Sequence, residues 1–214
     1  MKICCVGYRP WALSIYKYVE HLGYDTLMIN SKQEYCKKTI KNYNPDYILF
    51  YGWSWIIDED LIENFDCIML HPSPLPKYRG GSPIQNQIIN GEKHSAVTLF
   101  LMDSGIDTGD ILGQEYLSLE GNLDDIFQRI TKTGKSLTKK ILEGNFSRTK
   151  QNDDESTYFK RRKPSQSEIT IEEIKTKSGE YLHNKIRMLQ SPYPNSFIRT
   201  SDGKKLKIIL SELE

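Results

Sequence analysis

Short apolar runs alternate with helically spaced stretches along the N-terminal third of the chain. Residues 2–6 read as a buried strand ended by Gly7. Over 11–21 the apolar residues Leu13, Tyr16, Tyr18 and Val19 fall at helical spacing, and Gly23 supplies a stop. A second strand is predicted over 24–29, a polar helix capped by Ser31 running to Asn42, and a third strand over 46–51. A short helix over 58–64 and a fourth strand over 67–70 complete the series. Strand and helix alternating at this spacing predict βαβ units, hence an α/β fold with a mainly parallel sheet and helices on both faces.

Further along, 83–90 reads as a helix stopped by Gly91. Residues 96–102 and 111–117 read as two strands around a turn. A long amphipathic helix is predicted over 123–143, ended by Gly144, and the polar stretch 146–155 as a loop. Residues 171–189 read as one more long helix that runs through Gly179. The tail carries two β-rich runs around Ser201-Asp202-Gly203, a hairpin signal. The chain divides on this reading into a core over 1–155 and a linking element, helix and hairpin over 156–214.

Composition narrows the class. With 214 residues the chain can bury a sizeable core without staples. Its four cysteines form no CxxC pair and no zinc-spaced cluster, so no metal is predicted, and the thiols read as reduced, as in a cytoplasmic protein. No apolar stretch approaches a membrane span. The 29 basic and 28 acidic residues balance to +1, which gives no electrostatic reason to expect a nucleic-acid partner. The cluster Lys160-Arg161-Arg162-Lys163 is the local exception.

Sheets of this kind bind ligands at the carboxyl ends of their strands. Trp53 and Trp55 follow the third predicted strand and His71 follows the fourth. The residues after Gly7 lack a GxGxxG pattern, so dinucleotide binding is not predicted. His71 opens the segment His71-Pro72-Ser73-Pro74-Leu75-Pro76-Lys77-Tyr78-Arg79-Gly80-Gly81-Ser82-Pro83, whose prolines make a stiff loop. A histidine there is either a core residue closing a strand or a proton-transfer group. Asp107, in Gly105-Ile106-Asp107-Thr108-Gly109, is either its partner or a turn residue bonding its own backbone. Asp103 and Asp110 are open to the same readings. Lys77 and Arg79 read equally as anion ligands or solvated loop charges. Gly80, Gly81 and Ser82 allow close backbone approach to a ligand or simply cap a helix. Tyr158-Phe159-Lys160-Arg161-Arg162-Lys163-Pro164 could clamp a diphosphate or present a solvated face. His21, His94 and His183 lie in charged or helical surroundings and carry no assigned chemistry.

The stretch from His71 through Glu92, followed by Ser95 to Leu112 with its Asp107-Thr108-Gly109, resembles the core of the 10-formyltetrahydrofolate-dependent formyltransferases. Thr157 to Pro164 is similar to an element of the short sugar N-formyltransferases in that family. Ile186-Arg187-Met188-Leu189, Pro192-Tyr193-Pro194 and the hairpin look like the start of their C-terminal part. The resemblance implies a Rossmann-like formyltransferase fold with a small C-terminal helix and β-hairpin. It implies His71 and Asp107 as the catalytic pair, with 10-formyltetrahydrofolate as the donor. Trp55, Ile56, Ile57, Met102, Asp103, Ser104, Gly105 and Ile106 are implied as its contacts. Ser73, Lys77, Tyr78, Arg79, Tyr158, Arg161 and Arg162 are implied as contacts of a nucleotide-linked amino sugar, commonly carried on dTDP, as in O-antigen biosynthesis. A homodimer through the apolar hairpin is predicted as well.

Two positions depart from the pattern. The family usually places asparagine two residues before the histidine, where this chain has Met69, and many members have a histidine where it has Phe100. A thioether donates no hydrogen bond, and one lost oxyanion donor typically costs about 3–4 kcal/mol of barrier. Rival readings are therefore a formyltransferase for another amine, such as glycinamide ribonucleotide, and a non-catalytic binding protein with a decayed site.

Overall fold

A computed structural model describes residues 1–214. The N-terminal strands are β1 (Lys2–Val6), β2 (Asp25–Ile29), β3 (Tyr47–Tyr51) and β4 (Asp66–His71). They alternate with helices α1 (Pro10–His21), α2 (Lys37–Tyr43) and α3 (Glu59–Asn64). After a short strand β5 (Arg79–Gly80) come α4 (Pro83–Ile89), β6 (His94–Leu101), β7 (Ile111–Ser118) and α5 (Leu123–Leu142). One six-stranded sheet runs β2-β1-β3-β4-β6-β7. Its first four strands are parallel, and β6 runs antiparallel to both β4 and β7. The sheet is thus parallel where crossover helices feed it and antiparallel where a turn joins β6 to β7.

Alternation along β1 shows why both faces need cover. Ile3 and Cys5 point into the larger core with α1 and α5, contributing Ile15, Val19, Ile126 and Ile130. Cys4 and Val6 point to the opposite core, closed by Ile40 of α2 and Leu61 of α3. Burial pushes the Cys4 thiol up to about 12, so it stays a neutral apolar group. α1 and α5 cross closely at Gly134, where an added Cβ would lie 2.6 Å from Ile15 Cδ1. α5 begins at a reciprocal cap between Asn122 and Asp125. Tyr16 of α1, 1 % exposed, pushes its hydroxyl between β1 and β3. It lies 2.8 Å from Val6 O and Leu49 O and accepts the Tyr51 N–H at 2.8 Å.

The structure corrects two predicted helices. Ser31 accepts a bond from Glu34 N in a turn, and α2 starts only at Lys37. The single helix over 171–189 is two, α6 (Ile171–Thr176) and α7 (Gly179–Arg187). Ser178 accepts the Tyr181 N–H and so starts a new helix, and Gly179, a poor interior residue, becomes its first position. The tail hairpin pairs β9 (Ser196–Arg199) with β10 (Lys205–Ile208), antiparallel. A pairing not foreseen joins β5 to β8 (Tyr158–Phe159) in parallel, which ties the linking element to the loop after His71. No helix is long and apolar enough to cross a membrane.

Candidate active site

His71 is the last residue of β4 and lies opposite Thr98 of β6. The loop behind it is stitched in place. Ser73 Oγ donates to Lys77 O, Thr98 Oγ1 donates to Ser73 O, and Gln114 Nε2 donates to Leu75 O. The Leu75–Pro76 peptide is cis. Tyr78 adopts a left-handed φ of 61°, and its carbonyl lies 2.8 Å from His71 Nε2. A carbonyl only accepts, so Nε2 carries the hydrogen in this arrangement.

The other ring nitrogen faces Asp107: Nδ1 lies 3.5 Å from Oδ2. The same Oδ2 accepts the Gly80 N–H at 2.7 Å. Asp107 sits in the β6–β7 turn with φ 56°, and Gln151 Nε2 holds that turn through Asp107 O and Gly109 O. Gly109 is required, since a Cβ there would meet Leu101 O at 1.7 Å. His71 and Asp107 are thus joined both directly and through the 78–80 backbone. The imidazole is fixed in orientation with an acceptor facing each nitrogen, a geometry suited to holding a proton. Of the three candidate aspartates, only Asp107 is placed to do this; Asp103 accepts from Gly105 N and Thr108 Oγ1 within its own turn.

Both residues line a cleft of about 560 Å³. Met69, half-buried, is on its wall, and its register partner on β6 is Phe100, 2 % exposed. The two departures from the family pattern are therefore directly opposed neighbours on one face of the sheet. Trp53 also lines the cleft, and its indole Nε1 is buried without a hydrogen-bond partner. Trp53 packs edge-on against Trp55, with centroids 4.6 Å apart, and Tyr8 lies 5.0 Å from Trp55.

The residues proposed as donor contacts divide. Trp55 and Ile56 stand on the exposed loop after β3, Ile56 at 97 % exposure. Asp103, Ser104, Gly105 and Ile106 are exposed on the β6–β7 turn, and Met102 packs partly buried at its base. Ile57 turns inward at 7 % exposure and is a core residue, because it caps the smaller apolar core.

The proposed acceptor contacts divide as well. Arg161 and Arg162 line the cleft with His71. Arg161 reaches Ser54 Oγ at 3.3 Å. Arg162 donates from Nη2 to Gln166 O at 3.3 Å, and burial lowers its pKa from the usual guanidinium range. Tyr158 is over half exposed and covers Gly80, where a Cβ would lie 2.6 Å from its ring. Lys77 points to solvent. Three residues are corrected to loop-building roles. Ser73 is fully buried and spends its hydroxyl on Lys77 O. Tyr78 stacks on Phe159 at 4.9 Å and donates to Glu92. Arg79, 7 % exposed, bonds Gln151 and Asp153. Sequence reasoning missed Gln151, Gln114 and Gln85, neutral amides in a polar stretch, on a strand and on a helix, with no local signal. It also missed Arg9, which stacks on Tyr8 and Tyr193 at the cleft wall.

A two-faced α/β sheet thus carries a histidine–aspartate pair at the carboxyl edge of its strands, in a cleft that Arg9, Arg161 and Arg162 also line. The formyl transferase family model matches residues 17–142, more than half the chain, and the chain belongs to that family. It is 32 % identical over 182 residues to a methionyl-tRNA formyltransferase of a Nitratiruptor species, covering 83 % of this chain and 58 % of that protein. The chain thus spans a little over half the length of this relative. A solved structure of methionyl-tRNA formyltransferase from Clostridium thermocellum is 35 % identical, covers 97 % of both chains and superposes with a TM-score of 0.86. A 4-N formyltransferase from Francisella tularensis, 24 % identical over 100 % of this chain and 98 % of its own, shares the fold with a TM-score of 0.77. The sugar branch, expected to be nearest, is a neighbour in fold, and the methionyl-tRNA formyltransferase is nearer than the 4-N formyltransferase in both fold and sequence.

Proposed function

We propose that this protein transfers a formyl group from 10-formyltetrahydrofolate to the primary amine of a nucleotide-linked amino-deoxy sugar, dTDP being the carrier first in line. The observation that carries this reading is the His71–Asp107 pair in one cleft with Arg161 and Arg162. The amine nitrogen attacks the formyl carbon, and the bond from that carbon to the folate nitrogen breaks. His71 takes the proton lost by the amine and returns it to the departing folate nitrogen, while Asp107 holds the ring. Trp53, with its unpartnered Nε1, and the exposed Trp55 and Ile56 offer the polar and apolar contacts that a folate ring needs. Two cations without a carboxylate partner on the same cleft suit a diphosphate.

A second reading is favoured by the names of the relatives: the acceptor is methionyl-tRNA. Turnover with 10-formyltetrahydrofolate against a panel of dTDP-amino sugars, glycinamide ribonucleotide and methionyl-tRNA decides between them. Formylation of a dTDP-amino sugar supports the proposal. Formylation of methionyl-tRNA alone replaces it.

The same reading includes a cytoplasmic homodimer with its catalytic core over 1–155 and its assembly part over 156–214. Leu206, Ile209 and Leu210 stand more than half exposed on and after the hairpin, apolar area that a second copy would cover. A monomer by sedimentation at micromolar concentration, unchanged after removal of residues from Asn195 onward, would refute the dimer.

A further inference from the structure

α4 carries three consecutive amides, Gln85, Asn86 and Gln87, which a helix turns to three different directions. Asn86 donates to Gly81 O at 2.8 Å, bracing the loop that precedes the helix. Gln87 donates to Pro72 O at 2.9 Å and Pro83 O at 3.0 Å, bracing the loop that follows His71. Gln85 does neither. It is 3 % exposed, its Nε2 is buried without a hydrogen-bond partner, and it lines the cleft that holds His71 and Asp107. A buried amide donor left unpaired is costly, and native proteins rarely carry one without a purpose.

Its neighbours in the cleft say what it serves. Gln85 lies one helical turn beyond Ser82, whose Oγ accepts the Arg162 N–H at 3.1 Å. Gly81 packs so tightly on the same segment that a Cβ there would meet Arg161 Cα at 2.4 Å. The amide therefore shares the cleft with the two arginines, whose backbone packs on the turn that opens its helix. Resting on the reading given above, we infer that Gln85 is a specificity residue for the acceptor. Its amide pairs with a neutral polar group, a hydroxyl or a ring carbonyl, of a molecule whose anionic part lies on Arg161 and Arg162. Charge on the arginines then gives attraction, and the amide gives discrimination, since an acceptor lacking the polar group leaves Gln85 unpaired.

The test compares wild type with Gln85→Leu and Gln85→Asn. The readouts are melting temperature, tetrahydrofolate affinity, dTDP affinity, and kcat and KM for the panel member that turns over. Because the amide has no partner in the free protein, Gln85→Leu is expected to hold or raise the melting temperature. It is expected to leave tetrahydrofolate affinity unchanged and to raise acceptor KM about tenfold, the usual worth of one neutral hydrogen bond, with kcat within about twofold. Gln85→Asn is expected to fall between. A clear drop in melting temperature for Gln85→Leu would show a structural amide and overturn the inference. So would an unchanged acceptor KM, or an equal loss of tetrahydrofolate affinity. A wild-type chain that binds dTDP and formylates a panel member, with Gln85→Leu indistinguishable from it, overturns this inference alone. A wild-type chain that neither binds nor formylates any panel member overturns the proposed function with it.

Discussion

The two rims of the cleft are built on opposite principles. On the rim after β4, the backbone N–H groups of Ser73, Leu75, Lys77, Arg79 and Gly81 all donate to backbone carbonyls; buried Ser73 is spent on Lys77 O within the loop, and buried Arg79 ties the loop to Gln151 and Asp153. On the rim after β3, no backbone N–H from residue 53 to 57 donates to a backbone carbonyl, and Ile56 stands almost fully in solvent. The stitched rim carries His71 and, through Gly80, fixes Asp107. The loose rim carries aromatic and apolar side chains with few commitments. Groups that must hold a reacting geometry to a fraction of an ångström sit where the loop is over-determined. Groups that only cover a flat ligand sit where it is not.

The sharpest break in this contrast is at the proton-transfer pair. His71→Asn is expected to lower kcat about a thousandfold, and Asp107→Asn about a hundredfold, while dTDP-sugar binding by calorimetry stays near normal. Near-normal kcat in either variant would sink the assignment. The stitched rim itself should respond to Arg79→Ala. Removing a buried guanidinium that holds Gln151 should cost about 1–3 kcal/mol in a denaturant titration, with activity falling in step. Loss of kcat with unchanged stability would instead make Arg79 a substrate ligand after all.

Met69→Asn tests the seam between the rims. Met69 lines the cleft and is only half-buried, so an amide there has solvent and substrate to bond; kcat is expected to rise by up to about tenfold, limited because the surrounding groups do not orient it. Unchanged kcat with a lower melting temperature would mean that Met69 packs as core. The smallest effect belongs to the loose rim. Ile56→Ser is expected to raise the folate KM about threefold and leave the melting temperature unmoved, since nothing in the free protein packs on that side chain. A shift in melting temperature without a change in KM would overturn its donor role.

Much of this was legible in the chain because strong local signals carried it. The apolar run ending at His71, the prolines behind it and the glycines around Asp107 each constrain the backbone within a few residues. Arg79 was not legible. A loop arginine looks the same in sequence whether water or Gln151, far along the chain, takes its hydrogen bonds. The β5–β8 pair is too short for any periodicity, so the tie between the His71 loop and Tyr158–Phe159 could not be seen. The break before Gly179 was hidden because Ser178 competes with the helix only through its side chain. Gln85 is the instructive miss: what marks it is a bond that it does not make.

The Tyr16 hydroxyl has a consequence on a different scale. It closes the end of the β1–β3 seam by accepting the Tyr51 N–H, and one residue later the chain enters the loose rim. In deuterated water the Tyr51 amide should keep its hydrogen until the whole sheet opens, whereas the amides from Trp53 to Ile57 should lose theirs through small local openings. The border between slow and fast exchange then falls within about two residues. A single phenol from the outer helix layer thus sets where the protein stops behaving as a solid and starts behaving as a surface.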